Sequence, residues 1–404
     1  MRLLFVTPFY KPAHVYGGPT RSISALCENL AMIGCDVTLY TTNANGNTNL
    51  EIEPVAPHDV NGVEVRYFPR EWGGNYFYSP LLAEACRKTI GKFELMYVAS
   101  NWGYPFLPAC RSAYKAGIPY IVSPRAAFKR GPWIGKYLKK RTYHYLLERR
   151  WIQRAAALHY CTELERKDSG WLGLQPPAFV VPNSVDASEF EQSPPRGAFR
   201  KAWGIPDENQ VVLFLGRIEP QKGLDVTLNS FASATVNHPK TLLVLAGPEE
   251  DGYMHPLKKM AGKLGLADRV LFTGFLDSKA RLSALVDADV FILTSYSENF
   301  GIAAVEAMAA GLPVIVSDRV GIAEDLRRER AGVVVSMDPG AVAGELLRLL
   351  ASPEERRELS RRALHMVNER YSPVNVAKAM LDEFERVLAG KRYIDHIRSC
   401  GLRS

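Results

Sequence analysis

"ADVFILTSYSENFGIAAVEAMAAGLPVIVSD", residues 288–318, reads as a strand, a loop, a helix and a second strand. "ADVFILTS" is a short, nearly continuous apolar run, and "LPVIVSD" repeats it after an alanine-rich stretch that ends at Gly311. Strands apolar on both faces, joined through a helix, belong to parallel sheets covered on both sides. Between them, Glu298 and Glu306 stand eight positions apart around the step Phe300-Gly301. A helix start attracts anions, so the two carboxylates raise the question of what ligand the site would take.

The same alternation extends outward. "RLLFVTP", "CDVTLYTT", "LMYVAS", "PYIVSP" and "ALHYCT" read as strands in the first half. "QVVLFLGR", "TLLVLAG", "RVLFTGF" and "GVVVS" join the two strands above in the second half, with helical stretches such as 20–33, 224–236 and 279–286 between. The fold class is therefore α/β, in two doubly wound Rossmann-like domains. The polar, turn-rich stretch at 185–210, "VDASEFEQSPPRGAFRKAWGIPDENQ", separates them, and the boundary is expected near residue 195. The expected division is 1–195, 196–375 and a C-terminal helix over 376–404 that crosses back to the first domain. Two such domains and one linker form a cleft, and ligands in these folds sit at the carboxyl ends of the strands.

With 404 residues, 47% of them hydrophobic and 23% charged, the composition is that of a folded chain, not a disordered one. Only four apolar residues in a row precede Thr7, too few for a signal peptide's apolar region, and no run approaches a spanning helix. The six cysteines, at 27, 35, 86, 110, 161 and 400, show no paired spacing, which points to reduced thiols and a cytoplasmic protein.

No GxGxxG fingerprint follows the first strand, where the chain reads "TPFYKPAHVYGGPTRS", and no P-loop is present. Asp287 and Asp289 have the spacing of a metal-binding pair, but Asp289 opens a strand just after a helix, where a cap or turn aspartate is ordinary. No metal is expected. A carboxylate does not bind phosphate but accepts hydrogen bonds from hydroxyls, so the ligand carries both anionic groups and hydroxyls. A nucleoside diphosphate sugar fits, with its diphosphate on amides near Phe300, Gly301 and Ile302. A second loop, "RIEPQKGLDV" at 217–226, places Arg217 and Lys222 on the same edge of a parallel sheet. Arg and Lys are the usual partners of a diphosphate.

These segments, with "LAGPEEDGY", "VLFTGF" and "GIAEDL", resemble the retaining glycosyltransferases of family 4, which have the GT-B fold. The resemblance covers most of 208–375, and "TPFYKPAHVYGGPTRSISALCENLAMIGCDVTLYTT" and "VVPNSVD" extend it more loosely into the first half. It implies transfer of a hexosyl group to a glycan or lipid-linked acceptor, in surface polysaccharide, lipopolysaccharide or glycolipid synthesis. It also implies these roles. Arg217 and Lys222 hold the diphosphate with amides from Asn299 and Phe300 to Ile302. Glu306 takes the ribose and Glu298 the transferred sugar. The base lies against backbone at Gly274 and Phe275, and Gly17 and Gly18 form the N-terminal loop facing the diphosphate. Many members carry a histidine where this chain has Arg125. Arginine is no general base at neutral pH, but it can bind a leaving phosphate or an anionic acceptor, so Arg125 and Glu298 are the candidates for the chemistry itself. An epimerase of the same fold and a non-catalytic nucleotide-sugar binder are the alternatives.

Residues 125–154 hold ten Lys or Arg and one acid, an excess of nine against +7 for the whole chain. On a helical wheel Lys136, Lys139, Lys140, Arg150 and Arg154 share one face, with Ile134, Leu138, Tyr145 and Ile152 opposite and Arg141 and Arg149 intruding. Trp133 and the tyrosines suit an interface, so residues 129–154 are expected to meet an anionic membrane surface, making the protein peripheral on the inner face of the plasma membrane. No motif for nucleic acid is present.

Overall fold

A computed structural model describes residues 1–72, 74–99, 102–128, 142–190, 193–249 and 252–399, the last nine by backbone alone. The chain forms two compact units, Met1–Ser184 together with Pro373 onward, and Val185–Ser372.

In chain order, unit 1 has strands β1 (Arg2–Val6), β2 (Asp36–Thr42), β3 (Ala44–Asn45), β4 (Thr48–Asn49), β5 (Pro57–Val60), β6 (Val63–Phe68), β7 (Leu95–Ala99), β8 (Tyr120–Ser123), β9 (Ala157–Tyr160) and β10 (Ala178–Val180). Eight of them form one sheet, in the order β10-β9-β8-β7-β1-β2-β6-β5, and β3 pairs with β4. Every pairing in the large sheet is parallel except β5 with β6. Successive side chains on a strand point to opposite faces, so the sheet has two cores. Leu3 and Phe5 face the helix Gly18–Met32, whereas Leu4 and Val6 face the helices Pro80–Thr89 and Phe106–Lys115. The first core is completed by Val376, Ala377, Met380 and Phe384 of the last helix, Pro373–Ser399.

Unit 2 has β11 (Gln210–Leu215), β12 (Thr241–Ala246), β13 (Val270–Gly274), β14 (Val290–Leu293), β15 (Val314–Ser317) and β16 (Val333–Val335). They form a wholly parallel sheet in the order β13-β12-β11-β14-β15-β16. The crossover from β11 runs outward to β12 while β14 lies on its other side, so the sheet's order reverses at β11/β14, where ligands of such folds bind.

The boundary falls at Ser184/Val185, before the expected residue 195. The polar stretch is not a free linker. Its helix Ala198–Trp203 is capped by Asp287, whose carboxylate accepts the amides of Phe199 at 2.7 Å and Arg200 at 3.0 Å. Asp289 pairs with Arg196 at 3.2 Å and Arg200 at 3.1 Å and accepts the Val211 amide at 2.8 Å. Both aspartates thus fasten a segment about ninety positions away, Asp287 as the cap of a helix distant in sequence.

Lys136, Lys139, Lys140, Arg141, Trp133, Ile134 and Leu138 lie outside the described residues. From Thr142 the wheel holds in part: Ile152 is buried and Arg150 exposed as it has them. His144–Glu148 is a π-turn, which winds more slowly than an α-helix, and the buried line is His144, Glu148 and Ile152. Glu148 faces inward because its carboxylate accepts the Trp102 amide at 2.7 Å. Tyr145, placed by the wheel opposite the basic face, is exposed together with Leu146 and Leu147.

Candidate functional site

In unit 2 the loops after β11 and β14 are neighbours. Loop 216–223 is sewn to loop 294–300: the Tyr296 amide donates to the Gln221 carbonyl at 2.9 Å, and Gln221 Nε2 donates to the Ser297 carbonyl at 2.7 Å. Gly223 has φ +63° and lies so close to β14's end that a Cβ would fall 1.9 Å from the Thr294 carbonyl oxygen. That contact brings Lys222 onto Glu298, and the two form an ion pair. Lys222 also lies 4.0 Å from Glu219, which Arg217 holds at 3.3 Å. Two cations and two carboxylates therefore alternate along one loop edge, an arrangement that fixes each ammonium or guanidinium without cancelling its reach toward a stronger anion.

Gly301, at φ +98°, starts the helix Ile302–Ala309, and a Cβ there would meet Val320 at 2.7 Å. The first-turn amides of a helix have no intrahelical acceptor, and Gly301 offers them no side-chain cap. Phe300 is buried edge-on against Tyr371, 5.5 Å between ring centroids at 85°. Its carbonyl accepts the Ile322 amide at 3.2 Å. The segment around Val320-Gly321 lies alongside, with the Gly321 amide donating to the Glu298 carbonyl at 3.1 Å. Asn299 donates its amide to the Glu298 carboxylate at 3.2 Å.

Glu306 is not a surface residue: it is 3% exposed. Its carboxylate meets Arg281, on the helix Ser278–Asp287, at 2.9 Å, and Arg281 reaches Glu189 at 2.8 Å. Gly274 ends β13 and Phe275 follows it, 75% exposed. A ligand reaching from there to Glu298 crosses three strand positions, about 14 Å at the usual spacing. Nearby, Tyr296 donates to Asp225 at 2.8 Å, and burial together with that carboxylate pushes its pKa up to about 12.

In unit 1, Gly17, at φ +63°, starts the helix Gly18–Met32, and Cβ atoms added at Gly17 or Gly18 would meet nothing within 4 Å. Open space of that kind lets a ligand approach the backbone closely. Arg125, beyond the end of β8, is built into the same edge. It donates to Ser22 Oγ at 3.3 Å, Asn183 Oδ1 at 2.5 Å and the Tyr97 hydroxyl at 3.3 Å. Burial opposes its charge, but neighbouring Cys161, Tyr97 and Glu165 outweigh that and raise its pKa. Tyr97 in turn meets His159 Nδ1 at 2.6 Å, and His159 Nε2 meets the Val181 carbonyl at 2.8 Å. Burial, and then Arg125, depress His159 to about 3, so the imidazole is neutral. An arginine here is a fixed charge one helical turn from the glycine loop.

The structure brings Arg217, Lys222, Glu298, Asn299, Phe300, Gly301, Ile302 and Glu306 to one edge of unit 2, with Gly274 and Phe275 farther along it, and Gly17, Gly18 and Arg125 to one edge of unit 1. Arg281, Glu219 and Ser22 were missed. Arg281 and Ser22 have no local signal, since Glu306 and Arg125 lie 25 and 103 positions from them, whereas Glu219 stands two positions from Arg217 inside the quoted loop 217–226. Among the described residues no helix is long and apolar enough to cross a membrane.

Residues 195–366 match the family model "Glycosyl transferases group 1", and residues 17–184 match "Glycosyl transferase 4-like domain". A D-inositol 3-phosphate glycosyltransferase of Catenulispora acidiphila is 31% identical over 229 residues, covering 55% of this chain and 53% of that protein. The chain thus spans about half the length of the curated relatives it matches. Among solved structures, Anabaena HepE in complex with UDP and glucose superposes with TM-score 0.74 at 19% identity, over 96% of this chain and 100% of that one. Sucrose-phosphate synthase from Thermosynechococcus elongatus gives TM-score 0.73 at 18% identity, over 96% and 100%.

Proposed function

Because the chain belongs to the glycosyltransferases of family 4, with the GT-B fold, we propose that it moves a hexosyl group from a nucleoside diphosphate sugar to a hydroxyl of a glycan or lipid-linked acceptor, with retention, in the synthesis of a surface polysaccharide or glycolipid. The observation that carries this reading is the Lys222–Glu298 pair, which sets a cation, a carboxylate and the start of the helix Ile302–Ala309 side by side. A diphosphate takes the cations and amides, and sugar hydroxyls take the carboxylates.

In this reading Lys222, Arg217 and the first amides of the helix stabilise charge as the donor's bond to diphosphate breaks. Glu298 positions the transferred sugar and Glu306, held by Arg281, takes the ribose. Gly274 and Phe275 border the base. Arg125 is a fixed positive charge for a phosphate or an anionic acceptor, not a base. No divalent metal is required, because the cations are the protein's own and Asp287 and Asp289 are committed to the segment 196–211.

Calorimetric titration with UDP-, GDP- and ADP-sugars tests the donor. UDP-glucose comes first because HepE is described with UDP and glucose. One nucleotide class should bind, and turnover should release free nucleoside diphosphate in EDTA as in magnesium. Binding without transfer of the sugar to an acceptor or to water, read as release of free nucleoside diphosphate, overturns the transferase reading. Loss of turnover in EDTA, restored by magnesium or manganese, overturns the metal-free one.

A further inference from the structure

We propose that Trp72, Tyr76, Tyr78 and Tyr104 form a platform in unit 1 that binds a pyranose ring of the acceptor. The role as acceptor site rests on the glycosyltransferase reading; the saccharide binding does not.

The four rings come from two loops that follow β6 and β7, on the edge of the sheet that also carries Gly17 and Arg125. Trp72 and Tyr78 stand 4.6 Å apart between ring centroids, Tyr78 and Tyr104 4.6 Å, and Tyr76 and Tyr104 6.1 Å. Trp72 is 61% exposed, whereas tryptophan is usually among the most buried side chains. An exposed indole backed by a tyrosine, itself backed by another, is a wall with one face left for a ligand.

Backbone hydrogen bonds tie the wall together. The Tyr78 amide donates to the Trp72 carbonyl at 3.3 Å, the Glu71 amide to the Tyr78 carbonyl at 3.0 Å and the Tyr104 amide to the Tyr76 carbonyl at 2.7 Å. Arg70 ties the loop's base to the Gly46 and Thr48 carbonyls at 2.9 and 2.7 Å. Phe77, at φ +56°, is buried against Phe9 and Tyr16, at 5.9 and 6.0 Å between centroids. A left-handed backbone at a bulky residue is a cost that packing must offset, and it is found where geometry serves a ligand. Tyr16 precedes Gly17, so the platform adjoins the glycine loop.

The chemistry selects a sugar. A pyranose has a face of C–H bonds and a rim of hydroxyls. The rings suit the first, and the tyrosine hydroxyls and the exposed Glu71 carboxylate suit the second. A lipid surface calls for free cations and aliphatic side chains. Here the one arginine of the loop is bound to carbonyls and the exposed charge is negative. A rigid aromatic wall also costs little side-chain entropy on binding.

The test titrates the full-length protein with methyl glucosides, methyl galactosides, N-acetylglucosamine and their disaccharides, by calorimetry, without donor. At least one should bind wild type, and Trp72→Ala should weaken it about tenfold or more, with Trp72→Phe recovering part of the loss. Nucleotide-sugar affinity and transfer to water should not change in either variant, which also reports that they are folded. If none of these saccharides binds wild type, or Trp72→Ala binds them as wild type does, the platform is overturned. Loss of vesicle binding in Trp72→Ala with saccharide binding intact assigns the wall to lipid and overturns it too. If instead no nucleotide sugar binds while saccharide binding depends on Trp72, the donor reading fails and the platform stands.

Discussion

Glu298 and Glu306 share a motif but not an environment. Glu298 sits at the loop edge against Lys222, whereas Glu306 is enclosed with Arg281. Their losses should therefore separate. Glu306→Ala or Glu306→Gln should weaken the free nucleoside diphosphate about tenfold or more, as expected for a charged acceptor of hydroxyl hydrogen bonds. Glu298→Ala should leave that affinity within about threefold, on the scale of a peripheral contact, and lower turnover of the whole donor. Calorimetry with the nucleotide and single-turnover assays with the donor measure the two. Equal nucleotide affinity in wild type and both Glu306 variants sinks the ribose assignment. The pair was legible because an E-x7-E spacing around Phe300-Gly301 is a local pattern. Arg281 was not, because it stands 25 positions before Glu306 on a different helix, with β14 and a loop between them, and no motif spans that distance.

At the scale of elements, the two glycines that bring the loops together act by different means. Gly301 needs a positive φ and leaves no room for a Cβ against the Val320 side chain, and Gly223 needs a positive φ and packs directly on the Thr294 carbonyl. A left-handed residue with a side chain costs about 1–2 kcal/mol. Gly301→Ala should lose about 1–3 kcal/mol, since a methyl of Val320 can give way only in part. Gly223→Ala should lose more, because the Thr294 carbonyl belongs to the strand end and cannot yield. Urea unfolding of unit 2's signal measures both, and equal stability of the two variants contradicts the distinction. Strands of the parallel sheets were legible as apolar runs, because burial on both faces leaves few polar positions. The hairpin β5–β6 was not, since "PHDV" is half polar and "VEVRYF" alternates charged with apolar residues instead of forming a continuous apolar run. The π-turn at His144–Glu148 escaped as well, because a wheel drawn at 3.6 residues per turn does not describe its winding.

At the scale of the whole molecule, charge is concentrated: residues 125–154 exceed the chain's net +7, and the remainder is slightly acidic. In the described part, Arg150 lies over Trp151 at 5.6 Å, Arg154 over Tyr114 at 4.4 Å, and Leu146 is 76% exposed. Cations beside exposed apolar side chains suit an anionic lipid surface, at about 1 kcal/mol per Lys or Arg before screening by salt. Wild type should sediment with anionic vesicles at low salt and largely release at high salt. Lys136, Lys139, Lys140 and Arg150 changed together to Gln should abolish sedimentation while fold and nucleotide affinity persist. Binding that ignores salt, or survives in that variant, removes the membrane role. The sequence by itself determined the α/β class, the two sheets, the family and the edge on which Arg217, Lys222, Glu298 and Glu306 meet, because each depends on patterns confined to a few tens of residues. Only the tertiary structure decided that Asp287 and Asp289 fasten the segment after Ser184, that Glu306 is enclosed by Arg281, that Arg125 is fixed by Ser22, Tyr97 and Asn183, and that four aromatic rings from two loops form one wall. Those contacts join residues far apart in the chain, and closing such distances is the work of packing, which no local pattern encodes.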